Sequence, residues 1–337
     1  MRQVAILGSG AWGTTLACML AAKGIAVRLW EHHADRAQTM QRDHENALFL
    51  PGIPLPPTVT ITADLAAAVT GAEVVVFVVP SQQMRSNARL VAPLIAPDAF
   101  VVSASKGLEL GTLARMSEVL AQELPPGPRD RLAVLSGPNL AREVAEGKPA
   151  ASVIASRDAT TAQQAQALFT AQMLRVYSTD DVIGVELGGT LKNVIAIAIG
   201  GADGMGYGDN TKASLMTRGL AEMVRLAIAE GGHPLTLVGL AGLGDLIATC
   251  SSPLSRNYSL GRELASSGKS LDEILSERHS VAEGVLTARA AVQMAARHGI
   301  EMPIAQALCQ FFDGHDAHEL VAALMQRDLR PERDHTL

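Results

Sequence analysis

Lys192 and Asn193 stand directly before an apolar run of the sequence, no side of which is suited to contact water. The run lies within ELGGTLKNVIAIAIGG (residues 186–201), where every residue from 194 to 201 is apolar or glycine. An unpaired buried charge is costly, so an ammonium group here requires a polar partner or a cavity. Burial also lowers the pKa of a lysine, which suits the amine to proton transfer near neutral pH. We interpret Lys192 as a candidate general acid/base. The sequence leaves its partner open, and Asp245 is the residue that we expect in this place.

Two further polar segments follow predicted strands in the first half of the chain. Lys106 comes directly after a strand, in SASKGLE, and Gly137 and Asn139 follow another, in LSGPN. Ligands of open α/β sheets bind at the carboxyl ends of the strands, so these residues are candidates for a binding site. The pattern also predicts that Asn139 caps the helix that follows it. From local sequence alone, Lys106 is also compatible with an exposed turn.

A polar loop in the second half, CSSPLSRNYSLGREL, leads into a predicted helix. Ser255, Arg256 and Asn257 stand at the start of this helix, where an arginine beside free helix N–H groups makes a good anion site. A solvated helix start is the alternative for Arg256. Asp245, in LAGLGDLIATC, is likewise compatible with a helix cap after Gly244.

A glycine pattern follows the first predicted strand. Gly8, Gly10 and Gly13 form a G-x-G-x-x-G that opens a helix within a βαβ unit, which is the context of a dinucleotide-binding turn. In such a turn, Gly8 permits the tight bend, Gly10 lets a pyrophosphate approach the backbone, and Gly13 allows close packing of helix and strand. The alternative is a structural glycine-rich turn.

The second predicted strand ends in LWEHHADR, where the signals for cofactor choice conflict. An acidic residue such as Glu31 at this point accepts hydrogen bonds from the adenosine ribose and disfavours a 2′-phosphate. His32, His33 and Arg36 follow it and could counter that charge. The sequence therefore leaves NAD and NADP open as cofactors.

The first half alternates short apolar runs with helical segments. We predict strands at 4–7, 26–30, 59–61, 73–79, 100–103, 132–135 and 152–154, and helices at 14–23, 65–69, 84–95 and 159–169. Continuous apolar strands separated by helices indicate a parallel sheet covered on both faces. The sequence thus predicts a doubly wound α/β domain over residues 1–180.

From residue 181 the β pattern stops. Helices are predicted at 181–202, 209–231, 259–266, 270–276, 284–299 and 303–325. We predict an all-helical second domain over residues 181–330, followed by a solvated tail at 331–337.

Composition excludes several classes of partner. The chain has 337 residues, too many for one ordinary core, and its 28 basic and 34 acidic residues give a net charge of −6. Without a basic run, neither nucleic acid nor an anionic membrane is expected as a partner. The sequence also shows no signal-peptide pattern and no apolar stretch near the ~18 residues that span a bilayer.

Cysteine and histidine spacing predicts no metal site. Cys18, Cys250 and Cys309 are far apart and odd in number, which fits a reducing cytoplasm better than a zinc site or a disulfide framework. His315 and His318 lie three residues apart near acidic residues, but a solvated helix face explains them more simply. Motifs of hydrolysis and phosphoryl transfer do not occur.

Eight motifs taken together resemble one family. GSGAWGTTLA, NALFLPGIPLP, FVVPSQQMR, SKGLE, LSGPNLAREV, ELGGTLKNVIAIAIGGADGMGYGDNTKASLMTRGLAEM, GLAGLGDLIATCSSPLSRNYSLG and VAEGVLTA occur in this order between residues 8 and 288. In these segments the chain resembles the bacterial NAD(P)-dependent glycerol-3-phosphate dehydrogenases. The resemblance implies an N-terminal Rossmann domain, a helical C-terminal domain of the 6-phosphogluconate-dehydrogenase type, a homodimer and a cytoplasmic location. It also implies reversible reduction of dihydroxyacetone phosphate to sn-glycerol 3-phosphate for glycerophospholipid synthesis.

The resemblance also implies roles for individual residues. Lys192 matches the general acid/base, and Lys106 matches a lysine near both the substrate carbonyl and the cofactor. The substrate-binding set implied is Lys106, Gly137, Asn139, Lys192, Asp245, Ser255, Arg256 and Asn257. The cofactor-binding set implied is Gly8, Gly10, Ala11, Trp12, Gly13, His32, His33, Lys106, Ala141, Arg256, Val281 and Glu283.

Two departures from the family pattern bear on these roles. Asn139 stands where Ser or Thr is usual, and His32 and His33 stand where an Arg is usual, which weakens the case for a strong NADP preference. Two alternatives to this activity are a related two-domain reductase or dehydrogenase for another small hydroxy or keto acid, and a dinucleotide-sensing protein without catalysis.

Overall fold

The apolar runs of the first half form an eight-stranded sheet in the computed structural model, which describes residues 3–278, 283–329 and 331–332. The strands are β1 Gln3–Leu7, β2 Ala26–Trp30, β3 Val59–Thr62, β4 Val74–Phe77, β5 Phe100–Ser103, β6 Leu132–Ser136, β7 Ala150–Ala155 and β8 Leu174–Thr179. Their order across the sheet is β3-β2-β1-β4-β5-β6-β7-β8. Neighbouring strands run parallel except β6 and β7, which are antiparallel.

Helices cover both faces of this sheet. They are α1 Ala11–Ala22, α2 Ala34–Asp43, α3 Leu65–Val69, α4 Met84–Val91, α5 Met116–Glu123, α6 Ala141–Ala145 and α7 Ala159–Phe169. Alternate residues of β1 divide between two apolar clusters: Val4 and Ile6 pack with α1, α2 and α7, while Ala5 and Leu7 pack with α3, α4 and α5. The predicted doubly wound α/β architecture is confirmed.

Two details of the predicted sheet are wrong. The prediction of a purely parallel sheet fails at β7, which reverses direction against β6. The edge strand β8 was not predicted, because only alternate residues such as Leu174 and Val176 are buried while Arg175 and Tyr177 are exposed. An edge strand with one open face lacks the continuous apolar run on which the other predictions rest.

In the second half of the chain, all regular elements among the described residues are helices. Its elements are α8 Val182–Gly204, α9 Asp209–Ala229, α10 Pro234–Leu237, a π-helical turn Leu240–Gly244, α11 Asp245–Ser251, α12 Arg256–Ser266, α13 Leu271–Glu277, α14 Glu283–Arg297, α15 Pro303–Phe312 and α16 Ala317–Met325. The segment from 234 to 251 was not predicted to be helical. The helix predicted at 303–325 is two helices, separated where Gly314 takes a φ of +91°.

The chain divides into two units, Met1–Glu186 and Leu187–Leu337, which we call the nucleotide-binding unit and the helical unit. The division falls inside α8. This helix is long and apolar enough to cross a membrane, as is the segment Pro234–Ser251, so the expectation that no stretch approaches that length was wrong. In α8, however, 89% of the apolar window is buried inside the protein, which is typical of a core helix.

Candidate functional site

The glycine pattern after β1 folds as a tight strand-to-helix turn. Gly8 has a φ of +110°, and a Cβ there would lie 2.4 Å from the carbonyl oxygen of Val78. A Cβ on Gly13 would lie 1.9 Å from the carbonyl oxygen of Gly8, so both positions require glycine. A Cβ on Gly10 would meet no described atom within 4 Å, which leaves the backbone open to a ligand. These features fit the cradle of a dinucleotide pyrophosphate at a helix N-terminus.

A buried amide fixes this turn to the loop that follows α2. The side-chain nitrogen of Asn46 donates to the carbonyl oxygen of Ser9 at 2.6 Å and contacts the hydroxyl of Thr14 at 2.8 Å. Asn46 is only 2% exposed, so its hydrogen bonds are shielded from water. The turn is therefore held by side-chain hydrogen bonds as well as by its own backbone.

The LSGPN segment folds against β7 beside Lys106. The Lys106 ammonium lies 3.4 Å from the carbonyl oxygen of Gly137, and Gly137 has a φ of +141°. Asn139 does not cap the next helix as predicted. Its side-chain oxygen accepts a hydrogen bond from the hydroxyl of Ser152 at 2.7 Å, and Leu140 occupies the N-cap position.

The start of α6 is joined to the glycine turn by a hydrogen bond. The hydroxyl of Thr15, in α1, donates to the carbonyl oxygen of Ala141 at 3.1 Å. Ala141 therefore lies close to the first turns of the helix that would hold a pyrophosphate. His32 and His33, which follow β2, are exposed, and their ring centres lie 3.7 Å apart.

The helical unit surrounds Lys192 with polar partners. Lys192 is 6% exposed, and its ammonium donates to Asp245 Oδ1 at 2.7 Å and to the hydroxyl of Thr249. The Thr249 hydroxyl in turn lies 3.3 Å from Asp245 Oδ1. Asp245 and Thr249 are 2% and 4% exposed, so the three side chains form a buried, charge-paired cluster. The partner expected from the sequence is the one observed.

Close backbone packing brings α11 to Lys192. A Cβ on Gly188, one turn before Lys192, would lie 2.7 Å from the carbonyl oxygen of Ala241 in the π-helical turn. A Cβ on Gly242 would lie 2.0 Å from the carbonyl oxygen of Leu237. Both glycines allow the π-helical turn to lie against its neighbours, and π-helical turns are frequent at functional sites. Asp245 follows this turn directly.

Glycines also set α12 against α8. A Cβ on Gly200 would lie 2.0 Å from the carbonyl oxygen of Tyr258, and one on Gly261 would lie 2.0 Å from that of Ile197. The two backbones therefore cross in contact, one turn or more beyond Lys192. This crossing fixes the start of α12, which carries the predicted anion site, relative to the lysine.

At the start of α12, Ser255 caps the helix and the side chain of Arg256 is exposed. The hydroxyl of Ser255 accepts from the backbone N–H of Tyr258 at 3.3 Å. The side-chain oxygen of Asn257 accepts from the backbone N–H of Gly284 at 3.3 Å, which links it to the start of α14 beside Glu283. Val281 lies outside the described residues.

A cavity of about 1160 Å³ in the helical unit lies apart from this cluster. It is lined by residues of α9, α15 and α16, among them Leu215, Phe311 and Val321, and by none of the predicted site residues that the structure describes. Among the described residues, Glu31, His32 and His33 form a group whose possible metal-ligand atoms lie within 4.8 Å of one another. The Glu31 oxygens in this group already accept hydrogen bonds from protein groups.

Comparison with known proteins identifies the family. Models of the N-terminal and C-terminal regions of the NAD-dependent glycerol-3-phosphate dehydrogenases match residues 3–162 and 181–322. A glycerol-3-phosphate dehydrogenase [NAD(P)+] of Thermobifida fusca (strain YX) is 50% identical over 335 residues, 99% of each chain. The chain belongs to the NAD-dependent glycerol-3-phosphate dehydrogenase family.

Solved structures agree with this assignment. The crystal structure of a glycerol-3-phosphate dehydrogenase from Coxiella burnetii matches 97% of this chain and 99% of its own with a TM-score of 0.91 at 38% identity. A ketopantoate reductase from Ralstonia eutropha matches 93% of this chain with a TM-score of 0.62 at 20% identity, and shares the fold. The fold alone therefore does not separate the two enzymes, whereas sequence identity favours the glycerol-3-phosphate dehydrogenases.

In this member of the family, the predicted residues fall into two groups, one in each unit. The glycine turn, the histidines, Lys106 and the LSGPN segment belong to the nucleotide-binding unit, and Lys192, Asp245 and the start of α12 belong to the helical unit. Sequence reasoning missed Thr249, which bonds to Lys192. Thr249 stands four residues after Asp245, so the two share one face of a helix. Prediction of α11 as a helix would therefore have placed Thr249 beside Asp245.

Proposed function

We propose that this chain catalyses the reversible NAD(P)-dependent reduction of dihydroxyacetone phosphate to sn-glycerol 3-phosphate. The observation that carries the proposal is the buried cluster of Lys192, Asp245 and Thr249 in a chain of this family. A buried ammonium with a fixed carboxylate partner suits transfer of one proton to a substrate oxygen. The product would supply glycerophospholipid synthesis.

The nucleotide-binding unit would hold the cofactor, which supplies or accepts a hydride at the substrate carbon. Gly8, Gly10 and Gly13 shape the turn, and the first N–H groups of α1 would bind the pyrophosphate. Further contacts are proposed from Ala11, Trp12, His32, His33, Lys106, Ala141, Arg256, Val281 and Glu283. The open space beside Gly10 supports this assignment.

Lys192 would act as the general acid/base. In the reductive direction its ammonium gives a proton to the oxygen that becomes the hydroxyl, and in the oxidative direction the amine takes that proton back. Asp245 and Thr249 hold the nitrogen in position through their hydrogen bonds. We propose that Lys106 adds positive charge near the same oxygen, which would stabilise the developing alkoxide.

The start of α12 would bind the substrate phosphate. An exposed arginine beside the first turn of a helix offers charge-assisted hydrogen bonds, and Ser255 and Asn257 flank it. Gly137 and Asn139 would contact the rest of the substrate.

A steady-state assay tests the reaction, the substrate and the cofactor together. The purified chain is expected to oxidise NADH or NADPH in the presence of dihydroxyacetone phosphate, followed by nicotinamide absorbance. Absence of turnover with both cofactors would refute the enzymatic activity and leave the dinucleotide-sensing alternative.

Arg256→Ala distinguishes a phosphate site from a site for another small acid. We expect the variant to raise KM for dihydroxyacetone phosphate by about 10-fold or more, with a much smaller change in KM for the cofactor. Arg262→Ala, on the same helix and 62% exposed, is the matched control and should change neither value. Unchanged KM values in the Arg256 variant would contradict the phosphate site.

We further propose that the protein acts in the cytoplasm as a homodimer, without stable membrane insertion. The core position of α8 supports the last point, because most of its apolar window contacts protein. Light scattering coupled to size-exclusion chromatography tests the assembly, and a monomeric mass would contradict it.

A further inference from the structure

Arg36 belongs to a closed set of contacts that begins and ends at the glycine turn. Its Nη2 donates to Glu31 Oε1 at 2.7 Å, and Glu31 Oε2 accepts from the hydroxyl of Ser9 in the turn. The guanidinium carbon lies 5.9 Å from the centre of the Phe49 ring. The backbone N–H of Phe49 donates to Asn46, whose amide nitrogen donates back to Ser9. The guanidinium is therefore held between a carboxylate and an aromatic ring.

Glu31 is withdrawn from the position at which it would select NAD. Only 3% of its side chain is exposed, and its two oxygens accept hydrogen bonds from Ser9, from the backbone N–H of His33 and from Arg36. Burial raises the pKa of Glu31, but these hydrogen bonds outweigh burial and hold the pKa below its usual value. An acidic residue favours NAD by offering its oxygens to the ribose hydroxyls, and here protein groups occupy them.

Arg36 retains hydrogen-bonding capacity in the same place. A guanidinium has five N–H donors: Nη2 of Arg36 donates to Glu31, and Nε is buried without an acceptor among the described residues, so a ligand would meet the terminal Nη groups. About a third of the side chain, 33%, is exposed. The exposed imidazoles of His32 and His33 lie on the connection between β2 and α2, directly before the first turn of α2, which carries Arg36 and the exposed Asp35. This end of β2 therefore presents the Arg36 guanidinium and two imidazoles beside one exposed carboxylate, while Glu31 is turned inward.

We propose that Arg36 is a cofactor-specificity residue, which binds the 2′-phosphate of NADP and lets this chain use NADP as well as NAD. The proposal rests on the cofactor-binding part of the proposed function. In dinucleotide-binding sheets, the adenosine ribose lies beside the end of the second strand, where a nearby arginine accommodates a 2′-phosphate. Arginine suits this role because its planar, permanently charged fork matches two phosphate oxygens.

Equilibrium binding of NADPH and NADH, measured by titration calorimetry, tests the proposal without requiring turnover. Arg36→Gln is expected to weaken NADPH binding by about 10-fold or more and NADH binding by less than about twofold, because only NADPH carries the 2′-phosphate. Arg36→Lys keeps the positive charge but lacks the planar guanidinium that can bind two phosphate oxygens. This variant should therefore bind NADPH more tightly than Arg36→Gln and more weakly than the wild type. Arg42→Gln is the matched control, since Arg42 lies on the same helix, is 72% exposed and pairs with Asp43.

Two results would overturn the proposal. One is equal weakening of both cofactors in a folded Arg36→Gln protein, and the other is the same NADPH loss in Arg42→Gln, which would mean a general charge effect. If Arg36→Gln does not fold, Arg36→Lys decides: a selective loss for NADPH supports the proposal, and an unchanged ratio refutes it. Failure of the wild-type chain to bind either cofactor would refute the proposed function itself, whereas binding without turnover leaves this test valid.

Discussion

Two buried charges six residues apart on α8, Glu186 and Lys192, make an informative comparison. Glu186 accepts hydrogen bonds from Arg115 Nη1 at 2.7 Å and from the backbone N–H of Ser117 at 2.8 Å, all within the nucleotide-binding unit. Lys192 donates to Asp245 and Thr249 within the helical unit. Both charges are buried and paired, so burial and pairing alone do not identify the catalytic group.

The chemistry of the partners separates the two clusters. Burial raises the pKa of Glu186, although the nearby Arg115 and Ser117 act to lower it. An arginine guanidinium does not give up a proton at ordinary pH, so Arg115 acts as a fixed charge that holds the end of α8 to the start of α5. An ammonium can give up a proton. We therefore assign structure to the first cluster and proton transfer to the second.

Replacing the lysine should have the largest effect on turnover. In Lys192→Met, which keeps the length and apolar stem of the side chain, we expect kcat to fall by ~10²–10⁴, as is typical of acid–base residues. NADH binding, measured by titration, should be nearly unchanged, because the cofactor turn lies in the other unit. A variant with near-normal kcat would contradict the role of Lys192.

Replacing the glutamate should instead affect stability. Glu186→Gln removes the buried one of the two charge partners of Arg115, and we expect the free energy of unfolding to fall by about 3 kcal/mol in urea denaturation. Turnover below the unfolding temperature should persist. Glu118→Gln removes the other, 47% exposed partner of Arg115 and should cost about 1 kcal/mol or less. A large loss of kcat with unchanged stability would reverse our assignment of Glu186.

Another buried carboxyl group, that of Glu222, extends the comparison to a group held by backbone N–H groups. It is 3% exposed and accepts from Ile304 N–H at 2.8 Å, at the start of α15. Burial raises the pKa of Glu222 to about 7, despite the lowering effect of the backbone hydrogen bonds. A carboxyl whose pKa is raised on folding stabilises the protein below its unfolded pKa, and this contribution is lost as pH rises.

The pH dependence of unfolding should therefore change in Glu222→Gln. In the wild type, we expect the contribution of Glu222 to stability to fall by on the order of 3 kcal/mol between pH 4.5 and 7. The glutamine variant should lack this part of the slope in urea denaturation across the same range. Identical slopes in the two proteins would show that Glu222 does not titrate there.

The smallest effect is expected at Thr249. Thr249→Val removes a hydroxyl that bonds to the Lys192 ammonium while keeping the shape of the side chain, and kcat should fall by about 10-fold. Thr249→Ser keeps the hydroxyl and serves as the control, with kcat expected within about threefold of the wild type. Equal kcat values for the valine and serine variants would exclude a contribution from the hydroxyl.

Much of the fold was predictable because its signals are local. β1 and β4 are continuous apolar runs, and glycines fix the turn after β1 because function there depends on the backbone. The antiparallel direction of β7 depends on contacts with β6, which no local pattern encodes. α2 was not predicted, because only Ala37 and Met40 among its ten residues are buried.

The site was predictable in its residue types and less so in its contacts. The cost of a buried charge indicated that Lys192 needs a partner, but Asp245 lies 53 residues away along the chain and only packing at Gly188 brings it close. At the end of β2 the sequence showed an acidic and a basic residue in conflict. Only the structure shows that Glu31 turns inward and that Arg36 keeps an unused N–H.

The central claim is that Lys192 supplies a proton and not merely positive charge, and Lys192→Arg tests it most directly. Arginine keeps the charge but does not give up a proton at ordinary pH. We predict that kcat for dihydroxyacetone phosphate reduction in Lys192→Arg stays within about 10-fold of that of Lys192→Met, with NADH binding intact. Recovery of kcat to within about threefold of the wild type would show that charge suffices, and would contradict proton transfer by Lys192.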